Sequence, residues 1–126
     1  TAEAGVTYYY KIKAICATSS YGDSAFSTVR YITCDCAAPV VKITTNATSG
    51  KPTLSWAAVD GANKYEIWRA TSENGEYVKM YSTTNTSYTN TTAVSGTTYY
   101  YKVMAICATQ SYGNSAYSTV VSIKAK

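Results

Sequence analysis

The residues of this 126-residue chain with chemistry to offer are four cysteines, seven acids and an unusual set of aromatic rings. The cysteines are Cys16, Cys34, Cys36 and Cys107. The spacing Cys34-Asp35-Cys36 is too tight for a zinc knuckle, and the sequence has no histidine to complete a mixed site. These thiols are better read as disulfide partners in an oxidising compartment. Without histidine, a Ser–His or Cys–His nucleophile pair is excluded. The acids are Glu3, Asp23, Asp35, Asp60, Glu66, Glu73 and Glu76. Asp60 precedes Gly61, and Glu73 and Glu76 flank Asn74-Gly75, so turn chemistry accounts for them better than a carboxylate pair does. No catalytic residue, cofactor or metal site is expected, and the chain is not read as an enzyme.

The aromatics number 14 Tyr, 2 Trp and 1 Phe. Trp68, Tyr77, Tyr100 and Tyr117 fall at outward positions of β-type runs, and Tyr112 falls in a loop. Rings on an exposed sheet face can stack on sugars or anchor a protein partner. Cross-strand pairing within the sheet, at roughly 0.2–1 kcal/mol per pair, is the plainer alternative. The net charge is +4, with Lys and Arg spread along the chain. No basic run of the kind that tracks phosphates is present, so no nucleic-acid partner is expected. No apolar run approaches the ~18 residues of a membrane span. Asn46-Ala-Thr48, Asn85-Thr-Ser87 and Asn90-Thr-Thr92 match the glycosylation pattern, as a chain rich in Thr and Asn does by chance.

The elements that position these residues come from an internal repeat. Gly5–Val29 reads GVTYYYKIKAICATSSYGDSAFSTV and Gly96–Val120 reads GTTYYYKVMAICATQSYGNSAYSTV. Nineteen of 25 aligned positions agree at a constant offset of 96 − 5 = 91 residues. A repeat of that length is one small domain. The chain is therefore read as the tail of one repeat, residues 1–33, followed by a whole one, residues 34–126.

Period-two alternation runs through both copies. Residues 8–15 and Ser27 to Thr33 are expected to form a hairpin that turns at Ser19–Asp23. From Val40 seven short strands follow: Val40–Thr44, Thr53–Ala57, Lys64–Arg69, Tyr77–Tyr81, Ser87–Asn90, Thr98–Cys107 and Ser115–Ile123. Asn74-Gly75 is a hairpin signal. Tyr65 and Ile67 should point inward, Glu66 and Trp68 outward. Short strands with turn signals every 8–12 residues argue an antiparallel sandwich.

Leu54-Ser-Trp56, Gly61-Ala-Asn-Lys-Tyr65-Glu-Ile67, Thr86-Ser-Tyr88-Thr, Gly96-Thr-Thr-Tyr99-Tyr-Tyr-Lys-Val103 and Gly113-Asn-Ser-Ala-Tyr-Ser118 together resemble a fibronectin type III domain. The resemblance implies an all-β, seven-stranded antiparallel immunoglobulin-like sandwich, with residues 1–33 matching the last two strands (F and G) of an incomplete upstream repeat. It gives structural roles to Trp56 and Tyr65, which should meet in the core, and to Tyr99, which should close the corner before its strand. The Tyr- and Thr-rich wording is similar to repeats of secreted Gram-positive bacterial proteins.

The family topology brings the end of strand F to the pole where strand A begins. It therefore implies a Cys36–Cys107 disulfide, with Cys34–Cys107 as the nearest alternative. Cys16 is expected to seek a partner within its own repeat rather than Cys34. The function implied is a non-catalytic tandem module, extracellular or on the cell surface. It would act as a spacer and as a surface for protein or glycan partners. The alternative is a carbohydrate-binding or accessory module attached to a polysaccharide-degrading enzyme. Residues 1–33 are too tightly tethered to replace their twin, since Thr33 to Pro39 spans at most ~20 Å. An isolated hairpin is marginal in water, so self-association of the fragment through residues 1–33 is expected.

Overall fold

A computed structural model describes residues 6–17, 20, 22–33, 36–107 and 114–126. The elements are β1 (Thr7–Tyr10), β2 (Arg30–Thr33), β3 (Val41–Thr45), β4 (Pro52–Trp56), β5 (Ala62–Ala70), β6 (Val78–Thr83), β7 (Ser87–Thr89), β8 (Thr98–Cys107) and β9 (Val121–Lys124). They form a two-stranded sheet β1-β2, a three-stranded sheet β3-β4-β7 and a four-stranded sheet β6-β5-β8-β9. All pairings are antiparallel. The two larger sheets face one another and make an all-β, immunoglobulin-like sandwich.

Alternation explains why these segments pair as they do. Along β8 every second residue from Tyr99 to Cys107 is buried. Along β4 the buried set is Pro52, Leu54 and Trp56. Pro52 opens its strand, where its missing N–H costs least. From β5, Tyr65 and Ile67 turn inward, while Glu66 and Trp68 are partly exposed. Leu54, Ile67, Tyr101, Val103 and Ala105 lose all solvent contact and form one core with Val41, Trp56, Tyr65 and Tyr99. Burying each of the larger of these side chains stabilises the fold by roughly 1.5–3 kcal/mol.

Tyrosine serves this core because its ring packs while its hydroxyl reaches a partner. Tyr65 Oη accepts the Val59 N–H at 2.9 Å, and Tyr99 Oη accepts the Val94 N–H at 3.1 Å, tying the turn before β8 to the strand. Asn90 is wholly buried, and its Nδ2 donates to Tyr101 Oη at 2.8 Å. The Asn90 match to the glycosylation pattern is therefore closed to modification. At Gly50, φ is +67°, and an added Cβ would lie 2.7 Å from the Lys126 carbonyl oxygen, so a side chain is barred there on two counts.

Two sequence expectations need correction. The return strand expected over Ser115–Ile123 is regular only at Val121–Lys124, with one bridge between Met104 and Tyr117. Serine hydroxyls take over the ladder before it. Ser115 N–H donates to the Ala105 carbonyl while its Oγ accepts the Ala105 N–H. Ser118 does the same with Val103. Between these pairs Ala116 and Tyr117 on the returning segment are thus set against Met104 alone on β8, the two-against-one mark of a bulged strand.

The first hairpin is shortened for the same reason, with Ser24 facing Ala14 and Ser27 facing Ile12. The hairpin signalled by Asn74-Gly75 is present as the antiparallel β5–β6 pair, but its connection is longer than a two-residue turn. It closes through the Gly75 N–H to the Ser72 carbonyl. Among the described residues no non-glycine residue has positive φ, as the tight turn would require of Asn74.

Candidate interaction surface

The outward residues of β5, β8 and the segment after it lie side by side because β5 and β8 pair along most of their length. Trp68 meets Tyr117 edge-on, with ring centroids 5.9 Å apart at 85°. Lys102 Nζ lies 4.0 Å from the Tyr117 ring centroid and 4.3 Å from that of Tyr77. Tyr77 is anchored by its hydroxyl, which donates to the Glu73 carbonyl at 3.0 Å. Tyr100 is partly exposed and close enough to act electrostatically on Tyr77. Next to them Glu66 and Lys79 pair at 3.2 Å. Four of the five candidate rings therefore share one face, and Tyr112 lies outside the described residues.

The geometry decides what this face can do. A sugar platform needs ring faces open to solvent. Here Lys102 covers faces of Tyr77 and Tyr117, and each cation–π contact contributes about 0.5–1 kcal/mol at an exposed site. The Trp68 Nε1 is buried without a hydrogen-bond partner, so the indole cannot offer its one donor to a ligand hydroxyl. The rings engage one another and their own lysine. Sequence reasoning missed Lys102 because it sought aromatics, although alternation places it outward between Tyr100 and Met104. It also missed a stacked pair, Tyr81 with Tyr88, whose centroids are 5.5 Å apart.

On the same two strands Arg69 lies 4.9 Å from the Tyr99 ring centroid. Cys36 and Cys107, both buried, are joined by a disulfide with Cα atoms 6.3 Å apart. Trp56 meets Tyr65 edge-on at 5.3 Å. Cys16 is a free, exposed thiol, and Cys34 lies outside the described residues. Among the described residues no cluster of three His, Cys, Asp or Glu side chains could hold a metal ion. No described helix is long and apolar enough to cross a membrane.

This architecture superposes on that of a Fn3-like protein from Clostridium thermocellum with a TM-score of 0.62, at 28% identity over 71% of this chain and 92% of that one. The sandwich is a fibronectin type III domain. No family model matches the chain. Among curated proteins it is 40% identical over 75 residues to an amylopullulanase of Thermoanaerobacterium saccharolyticum, covering 57% of this chain and 6% of that enzyme. It is 39% identical over 89 residues to a poly(3-hydroxybutyrate) depolymerase of Ralstonia pickettii, covering 71% of this chain and 17% of that enzyme. The chain thus spans only a small part of either enzyme.

The tyrosines of the fibronectin type III domain give it a pH response. Burial pushes the phenols of Tyr88 and Tyr101 above the ordinary tyrosine value, an effect that the Asn90 hydrogen bond partly offsets at Tyr101. Tyr77 is raised too, first by burial and then by Glu73. A raised pKa means that the folded protein holds protons which the unfolded chain gives up. Their stabilising contribution is whole below about pH 10, the unfolded tyrosine value, and is lost as pH rises through the folded values. Urea midpoints followed by tryptophan fluorescence should therefore hold steady to about pH 9 and fall above about pH 10. A midpoint that climbs in that range would contradict the burial of these phenols.

Proposed function

We propose that this chain is a non-catalytic fibronectin type III module of a secreted or cell-surface multidomain protein, serving as a spacer between working domains. The observation that carries the reading is the closure of the aromatic face by its own contacts, with Lys102 between Tyr77 and Tyr117 and with Trp68 edge-on to Tyr117. The Cys36–Cys107 disulfide supports an oxidising, extracellular setting. The similarity to small parts of an amylopullulanase and a poly(3-hydroxybutyrate) depolymerase supports a parent that degrades polymers.

A second reading, a polymer- or glycan-binding module, draws on Tyr81 and Tyr117, which are 54% and 40% exposed. Depletion from suspensions of insoluble starch and of poly(3-hydroxybutyrate) separates the two. The spacer reading expects the chain to stay in the supernatant, with Trp68→Ala behaving the same. Retention on either polymer that Trp68→Ala or Tyr81→Ala abolishes would overturn it in favour of binding.

A further inference from the structure

Asn74 lies in the turn between β5 and β6 and is the one asparagine of the chain that precedes a glycine. Its surroundings set it apart from the asparagines that the fold holds in place. Asn46 Oδ1 accepts the Thr48 and Ser49 N–H groups at 3.0 and 2.9 Å. Asn90 is buried, with its amide engaged by Tyr101 and Thr92. Asn74 is exposed, and among the described residues nothing bonds its side chain. Its neighbours are tied down on both sides. The Gly75 N–H meets the Ser72 carbonyl at 3.2 Å, the long end of such bonds, and the Glu73 carbonyl accepts the Tyr77 hydroxyl at 3.0 Å.

We propose that Asn74 is a site of self-modification, at which the Gly75 nitrogen attacks the Asn74 side-chain amide. The new bond joins Gly75 N to Asn74 Cγ, the Cγ–Nδ2 bond breaks, and ammonia leaves with the proton from Gly75 N. Water then opens the cyclic imide. Opening at Cγ leaves aspartate. Opening at the main-chain carbonyl leaves isoaspartate, whose backbone runs through Cγ. The reacting groups are neighbours in one chain, so no encounter is needed. Glycine has no Cβ to hinder its own nitrogen. The Ser72 bond must open first, and an exposed turn opens locally at little cost.

Each conversion replaces a neutral amide with a carboxylate, taking the net charge from +4 to 4 − 1 = +3. The isoaspartate form also lengthens the backbone between the carbonyl that holds Tyr77 and the N–H that closes the turn. Tyr77 then loses its anchor, and Lys102, 4.3 Å from its ring centroid, keeps only Tyr117. The modification thereby reaches the aromatic face.

The test incubates the unaltered chain in mildly alkaline buffer, which removes the Gly75 amide proton more readily. Peptides are then mapped by mass and by isoaspartate-specific methylation. Asn74 should convert while Asn46 and Asn90 stay intact, and isoelectric focusing should show an acidic species. Asn74→Gln should lose that species, and Gly75→Ala should suppress it. In the isoaspartate fraction the Lys102 methylene resonances, displaced by the rings in the native fold, should move toward their positions in Tyr77→Ala. Asn74→Asp should leave them in place. An acidic species that persists in Asn74→Gln would overturn the proposal. So would an Asn74 that stays intact in the folded chain, whether or not it converts in urea. Unmoved Lys102 resonances in the isoaspartate fraction would overturn the link to the aromatic face.

Discussion

Trp56→Ala is expected to lower the unfolding free energy of the sandwich by about 3–5 kcal/mol, the usual cost of removing a large buried aromatic. The indole is 6% exposed, stands edge-on to Tyr65 and belongs to the core shared by both sheets. Its Nε1 has no hydrogen-bond partner, so truncation leaves no partner unpaired and the loss is one of packing and cavity. A domain of this size has only about 5–15 kcal/mol in total. Trp56→Phe should recover part of the loss by keeping the ring contact with Tyr65. Urea unfolding followed by circular dichroism measures both variants, and a midpoint unchanged in Trp56→Ala would contradict the core assignment.

Removing the Cys36–Cys107 bond should have an effect of similar size by a different route. The bond closes a loop with a sequence separation of 71 residues. Loop-closure entropy alone puts its stabilisation at about 4 kcal/mol, acting through the unfolded chain. The paired Cys36→Ala and Cys107→Ala variant leaves two small apolar side chains at buried positions, so little packing is lost with the bond. Its unfolding midpoint should match that of the reduced wild type. A reduced protein as stable as the oxidised one would contradict the assignment of the bond as a main constraint.

The strands were legible because burial here follows strict alternation. Leu54-Ser-Trp56, Tyr65-Glu-Ile67 and Tyr99 to Cys107 each show their inward face in the order of letters. The broken return strand was not legible in that way. Ser115 and Ser118 look like polar outward residues at a spacing of three, which period two cannot use, yet their hydroxyls replace backbone groups in the ladder to Ala105 and Val103. The burial of Asn90 was not legible either. A Thr-rich neighbourhood reads as surface, while the side chain is buried because Tyr101 supplies a polar partner inside the core. Of the candidate surface, the sharing of one face by Trp68, Tyr100 and Tyr117 followed from strand alternation. The closure of that face by Lys102 did not, because it depends on where a long flexible side chain settles between two rings.

The central claim is that one sequence motif is sealed in a sandwich where it carries Tyr101, Val103 and Ala105 and left open where it carries Tyr10, Ile12 and Ala14. Native-state hydrogen exchange on the unaltered chain compares the twins residue by residue within one molecule. The Val103 and Ala105 amides should exchange only through global unfolding, while the Ile12 and Ala14 amides, bonded to the same serine pattern but in a marginal hairpin, should exchange at least ~100-fold faster. Equal protection of the two sets would contradict the account.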